Sequence, residues 1–215
     1  MRVMTWNLLW RFGEDWRERG QGIAATLEDV RPDLAGLQEV WATAETDQAA
    51  QLAERLGMHA AFAAPSLPPP PRPPSSPDHA GVEVGVAVLS RWPILEVHRH
   101  RLPSRRRPEI VALEVVADHS QGPLRLLTTC IDWERQDAAQ RLVQTRALAR
   151  LLADPARDGP LPVLLTGDVT APPATPEIRS LTEVAVDAWV AAGGAAVAGQ
   201  TLSAANPLAP RAAWW

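Results

Sequence analysis

Three polar side chains stand where an apolar strand stops: Asn7 in "MTWNL", Glu39 in "DLAGLQEVW" and Asp168 in "PVLLTGDVTAPP". All three bring oxygen donors, and two of them are carboxylates. Oxygen donors suit a hard cation such as Mg²⁺, which keeps several waters and takes only one or two protein carboxylates. Such an ion polarises a phosphoryl oxygen and stabilises a leaving oxygen, while an Asp orients or deprotonates the attacking water. Each residue also has an ordinary reading. Asn7 could be an edge-strand amide bonded to backbone, Glu39 could pair with an Arg, and Asp168 could cap the turn before Pro172. Taken jointly those alternatives weaken, because buried carboxylates are costly without partners and three separate strand ends share the feature.

The chemistry requires that these strand ends converge. Residues 2–9 alternate as a strand, and residues 33–40 form a second. Between them "GQGIAATLEDVRPD" places Ile23, Leu27 and Val30 at helical spacing, with Pro32 as the stop. "TAETDQAAQLAERLGM" predicts an amphipathic helix capped by Thr43 or Thr46 and closed by Gly57. "HAAFAA" reads as a short strand. Pro65 to His79 is too rich in proline for a sheet or helix interior and predicts an extended, mobile surface loop over 65–80.

"GVEVGVAVLS", "ILEVHRHRL", "IVALEVVAD" and "PLRLLTTCID" are four further strands, punctuated by Pro and Gly. "DAAQRLVQTRALARLLAD" predicts a long helix with apolar positions repeating at three and four, "LPVLLTGD" a strand, and "TPEIRSLTEV" a short capped helix. Helices fall between groups of strands. That order predicts an α+β fold with two sheets packed face to face and helices outside.

With 215 residues the chain fits a single domain, 1–215, large enough to bury a substantial core. No apolar run reaches 18 residues, so no membrane span is expected. The N-terminus lacks the pattern of a secretory signal, which predicts a cytoplasmic protein. The net charge of −4 and pI near 5.7 disfavour duplex DNA as the partner. "RLPSRRRPE", Arg101 to Glu109, is the only dense basic run, a solvated turn or a phosphate-facing loop. A single cysteine, Cys130, excludes an intrachain disulfide and a multi-cysteine metal site. Tyrosine is absent and all 21 basic residues other than histidine are Arg, so no Lys nucleophile or Tyr acid is available.

"MTWNL", "RPDLAGLQEV", "GVAVLSRWPI" and "PVLLTGDVTAPP…PEIR", in that order, resemble the endonuclease/exonuclease/phosphatase superfamily, the DNase I-like fold, over nearly the whole chain. The resemblance implies a four-layered α/β/β/α sandwich of two mixed sheets with outer helices. It implies divalent-metal-dependent hydrolysis of a phosphate ester by one Mg²⁺ or Mn²⁺ ion, with a small or lipid-like ester as substrate. By position, Asn7 matches the Asn that supports the catalytic Asp and phosphate, Glu39 the metal-binding Glu, and Asp168 the Asp that activates water. Glu39 and Asp168 are the expected metal ligands.

Three departures accompany the resemblance. Cys130 in "TTCID" stands where the family has His in "T-H-L-D". Thr170 in "GDVTA" stands where the Asn of "G-D-F-N-A" contacts phosphate. The family's terminal Asp-His pair is not found: no His follows His119, and the chain stops at Trp214-Trp215, short of that segment. Asp132 and Asp187 are the acidic candidates to substitute. The departures motivate an alternative, a remodelled member that binds a ligand or runs another reaction in the same pocket, with Cys130 as a reactive thiol or a small core residue.

Overall fold

The computed structural model describes residues 1–105 and 110–195, together with Gly199 and Thr201. One sheet comprises β1 (Val3–Asn7), β2 (Leu34–Ala42), β4 (Glu83–Ser90) and β3 (His59–Ala63), in that spatial order. β1 and β2 run parallel, and β4 is antiparallel to both of its neighbours. The other sheet takes β5 (Ile94–Leu102), β6 (Ile110–His119), β7 (Gly122–Cys130) and β8 (Leu164–Asp168) in chain order. β5, β6 and β7 form an antiparallel meander, and β8 joins β7 in parallel. The two sheets pack over a shared apolar core that includes Leu34, Val86, Val88, Leu113, Val115 and Leu126. This is the mixed-sheet sandwich with helices that the resemblance implies. No helix among the described residues is long and apolar enough to cross a membrane.

The helices follow from local chemistry. α1 (Trp16–Val30) buries Ile23, Ala24 and Leu27 against Ala35, Leu37 and Leu89 on the outer face of the first sheet. It begins four residues ahead of the segment "GQGIAATLEDVRPD", because its first turn (Arg17, Glu18) is exposed and polar. It ends at Arg31 in the left-handed region, directly before Pro32. α2 (Gln48–Leu56) is capped by Asp47, whose carboxylate accepts from the Ala50 amide at 2.8 Å, and neither Thr43 nor Thr46 is the cap. Those threonines build the preceding turn instead, with Thr43 Oγ1 accepting from the Thr46 amide. Gly57 closes α2 in the left-handed region, as its position predicts.

α3 (Ala138–Leu152) departs from an apolar helix in a way that matters. Its buried face carries Arg141, Gln144 and Thr145 along with Leu148. These polar groups are tolerated because they are bonded. Gln144 holds the Asp132 carboxylate at 2.7 Å, and Ser180 of α4 (Pro176–Thr182) donates to Thr145 at 2.9 Å. A short fifth helix, α5 (Ala188–Ala191), follows.

The proline-rich 65–80 segment is fastened at both ends, where the composition suggested a wholly extended surface loop. Ser66 and Leu67 are buried, and Pro77–His79 forms a 3₁₀ turn. Asp78 accepts from both Arg17 guanidinium nitrogens and from the Trp16 indole. Those bonds hold its carboxyl down at about 2. Arg106, Arg107, Pro108 and Glu109, the end of the basic run, lie outside the described residues, as does the Trp214-Trp215 terminus.

Candidate active site

The site forms where β1 and β2 of one sheet meet β7 and β8 of the other. Gly36 makes that approach possible. A Cβ built there would stand 1.9 Å from Thr166 Oγ1 and 2.8 Å from Thr128 Oγ1, so only a bare backbone fits. One register position pair further on, Gln38 is buried and donates to Thr128 Oγ1 at 2.9 Å across the sheets. This polar contact ties the sheets together directly beneath the three strand-end residues.

Asn7 ends β1, and its side chain is oriented without ambiguity. Its Oδ1 accepts from the Leu9 amide at 2.9 Å, which leaves Nδ2 as the donor. Nδ2 donates to Glu39 Oε1 at 2.7 Å and to Asp168 Oδ2 at 3.0 Å. One amide nitrogen therefore joins the two carboxylates across the sandwich. The ordinary alternatives hold in part: Asn7 on the edge strand does bond backbone at Leu9 and Asp168 does bond its own turn at Thr170, but both also take part in the Nδ2 bridge, and among the described residues Glu39 pairs with no Arg.

Glu39 reaches the site through a β-bulge. The β2–β4 register skips it between Gln38 and Val40, and its φ is +52. Left-handed backbone is uncommon for a glutamate and marks a local distortion. Without the bulge, strand alternation would send Glu39 to the face opposite Gln38. The loop that follows β1 braces the bulge: Trp10 N donates to Glu39 O at 2.8 Å. Arg19 in turn holds that loop, donating to the carbonyls of Leu9, Trp10 and Phe12.

The carboxyl of Glu39 is pushed up to about 7. Burial is the main cause, and the Asp168 carboxylate adds to it, while the Asn7 hydrogen bond and the Arg19 charge pull the other way. Its Oε2 is buried and has no hydrogen-bond partner among the described residues. Asp168 differs. Its Oδ2 accepts from Asn7, and its Oδ1 accepts from Thr170 Oγ1 at 2.8 Å. Thr170 itself stands at φ +45, which lets its hydroxyl turn back on Asp168.

Cys130 pairs in register with Asp168 on the adjacent strand, so alternation puts the two side chains on the same face. It is 3% exposed and part of the apolar core cluster. Asp132, two residues past β7, is buried and held by Gln144. Asp187 caps α5, accepting from the amides of Trp189 and Val190. Gln38, Arg19 and Gly36 are the supporting residues that the sequence reading passed over. A glutamine and a glycine inside an otherwise apolar strand were the signal, since neither is expected at an inward position without a partner or a close approach.

An orphaned, buried carboxylate oxygen beside a second carboxylate is a fit for a hard cation. Among the described residues no group of three or more His, Cys, Asp or Glu side chains forms a closed metal cage. The donor set is the sparse kind that Mg²⁺ accepts, one or two carboxylates with water completing the shell.

A wall of aromatic and basic side chains flanks the site. Trp10 and Trp41 are buried with Val82 and Val84, and Trp16 packs on them. The Arg11 guanidinium lies 3.9 Å from the Trp41 ring centroid and 4.6 Å from that of Trp16. His79 Nε2 donates to Arg11 O at 2.9 Å, which fixes the end of the proline-rich segment to this wall.

The model of the Endonuclease/Exonuclease/phosphatase family matches residues 4–214. No curated protein matches the chain. Among solved structures, the endonuclease/exonuclease/phosphatase from Beutenbergia cavernae DSM 12333 superposes with a TM-score of 0.69 at 23% identity over 88% of this chain. The human Nocturnin catalytic domain with bound sulfate anion gives 0.68 at 22% identity over 83% of this chain and 68% of its own. D. rerio TDP2 humanized by 14 mutations gives 0.66 at 16% identity over 90% of this chain and 72% of its own. At these identities the likeness is one of fold. The chain spans 55% of the length of the Beutenbergia protein.

Proposed function

The chain belongs to the Endonuclease/Exonuclease/phosphatase family, and on that premise we propose that it hydrolyses a phosphate ester with one divalent ion, Mg²⁺ or Mn²⁺, held by Glu39 and Asp168. The observation that carries this reading is the Asn7 bridge. One amide nitrogen binds an acid from each sheet and leaves Glu39 Oε2 without a partner. When bound there, such an ion supplies polarisation of the phosphoryl oxygen and stabilisation of the leaving oxygen.

The chain's own residues do the rest. Asp168 is pinned by Asn7 on one oxygen and Thr170 on the other. A carboxylate has about four lone-pair sites, so it still accepts a proton from a water. That water's oxygen adds to phosphorus as Asp168 takes its proton, the ester P–O bond breaks, and the leaving oxygen is protonated from solvent. Asn7 keeps the two acids at fixed separation. The proposed substrate is a small or lipid-like phosphate ester. The net charge of −4 offers little of the basic footprint that duplex DNA requires.

The test is hydrolysis of bis(4-nitrophenyl) phosphate with Mg²⁺ or Mn²⁺ against the same assay in EDTA. Turnover is expected only with the ion, and Asp168→Ala is expected to lower it by about 10²–10³. Turnover that ignores the ion, or that survives Asp168→Ala, would reject the reading. One observation favours a second reading, ligand binding without hydrolysis: Cys130, beside Asp168, is a core residue whose thiol is at best a weak donor. Metal-dependent binding of a phosphate ester with no release of product would select it.

A further inference from the structure

The proline-rich 65–80 segment carries two side chains that phosphate-ester hydrolysis does not use. His79 ends the 3₁₀ turn Pro77–His79, and Ser75 lies just ahead of that turn. Ser75 Oγ stands 2.9 Å from His79 Nδ1, and His79 Nε2 stands 2.9 Å from Arg11 O. A carbonyl only accepts, so Nε2 carries a proton. In the neutral ring Nδ1 is then an acceptor, and the Ser75 hydroxyl donates to it. A hydroxyl on an imidazole, with a fixed acceptor behind the imidazole, supplies the parts of an activated serine: nucleophile, base and a third group that sets the tautomer of the base. Here a backbone carbonyl fills the third role.

The base is held in place. Its ring centroid lies 4.6 Å from that of the buried Trp10. The neighbouring Asp78 carboxylate binds Arg17 and Trp16, which anchors the turn. Pro73, Pro74 and Pro77 bracket Ser75, and each fixes φ at about −65°, so less backbone freedom is lost when the pair forms. Ser75 itself is exposed, so a reagent reaches its Oγ without entering the core. Other hydroxyls are bonded differently. Ser90 donates to Trp92 O, Thr175 to Pro172 O and Ser180 to Glu177 O. A carbonyl accepts a hydrogen bond but is no base, whereas an imidazole takes the proton itself.

We infer that Ser75 and His79 form a second, metal-independent nucleophilic site, at which Ser75 takes up an acyl group from an activated ester. Ser75 Oγ adds to the acyl carbon as His79 Nδ1 takes the hydroxyl proton. The ester C–O bond then breaks, the leaving oxygen receives that proton from the imidazolium, and the ring returns to its neutral form. The products are O-acylserine and the free alcohol. The step consumes no metal ion and uses neither Glu39 nor Asp168. Trp10 links the two sites, since its ring packs on His79 and its amide donates to Glu39 O.

Acetylation of the full chain by 4-nitrophenyl acetate in EDTA, followed by peptide mass mapping, tests this. The absence of lysine and tyrosine removes the usual competing side chains. Ser75 should acquire the acetyl group at least tenfold faster than Ser76, its neighbour in the same peptide. Ser75→Ala should lose that label. His79→Phe keeps a ring against Trp10 but has no base, and should slow labelling of Ser75 at least tenfold. Asp168→Ala should label at the parent rate. Thermal melts establish that the variants fold, and Ser75→Ala, at an exposed position, is the variant least able to disturb the wall. The inference falls if Ser75 stays unlabelled, if Ser76 is labelled as fast, or if a folded His79→Phe variant labels at the parent rate. Labelling of Ser75 that requires Asp168 would also overturn it, by making the reaction a property of the mouth.

Discussion

Glu39 and Asp168 accept from the same nitrogen but live in opposite circumstances. Asp168 lies at the end of a regular parallel ladder, with both oxygens bonded, one to Asn7 and one to Thr170. Glu39 sits in a bulge at positive φ, with one oxygen on Asn7 and the other buried with no partner. One acid is complete within the protein and the other is not. An unmet buried acceptor is destabilising by itself, and under the proposed function a cation would meet the need. Glu39 would then be the main attachment point of the ion and Asp168, held on both oxygens, would handle water.

The largest effect that would break this contrast is in the pH dependence of stability. The folded Glu39 carboxyl keeps its proton up to about pH 7, whereas its ordinary value is 4.5. Between those values the folded state binds more protons than the unfolded state, so stability falls as pH rises through that window. The total is on the order of 3 kcal/mol at 1.36 kcal/mol per unit. Urea unfolding in EDTA at pH 5 and pH 8 should show that loss, and Glu39→Gln should remove it. Added Mg²⁺ should restore stability to the parent chain at pH 8 and do little for Glu39→Gln. A pH slope that persists in Glu39→Gln would mean that another group titrates there and that the two acids are not so different.

A second test acts on what brings the acids together. Gly36→Ala places a methyl against Thr166 and Thr128, and overpacking of this kind costs about 1–3 kcal/mol. Because Asn7 spans the sheets, the same change should weaken Mg²⁺ binding along with stability, by calorimetry and by melting. A variant that loses stability but binds Mg²⁺ with unchanged affinity would show that Glu39 holds the ion without help from Asp168.

How much of this was legible in the sequence follows from what each feature depends on. Strand alternation and apolar runs mark β1, β2 and β8, and a polar residue ending each run singles out Asn7, Glu39 and Asp168. Their convergence on one nitrogen depends on sheet order, which no local pattern encodes. The bulge at Glu39 was hidden because no Gly or Pro marks it. The buried polar face of α3 was hidden because its partners, Asp132 and Ser180, come from distant segments. Asp47 lost out to its threonine neighbours in the reading of α2, since all three are good caps and only the backbone decides among them.

The smallest effect sharpens the account of Asp168. Thr170 is a β-branched residue at φ +45, a conformation that costs such residues on the order of 1 kcal/mol or more. It is retained because its hydroxyl completes Asp168. Thr170→Val keeps the branched shape and the strain but deletes the donor, so it should lower stability by about 1 kcal/mol. Thr170→Asn tolerates the left-handed backbone and still offers a donor, so it should be neutral or stabilising by up to about 1 kcal/mol. Chemical denaturation of the two variants side by side measures the difference. If both lose stability equally, the hydroxyl is not what holds Asp168, and its second oxygen is as needy as that of Glu39. If only the valine variant loses stability, and its metal-dependent turnover drops with it, then the rigidity of Asp168 depends on that bond.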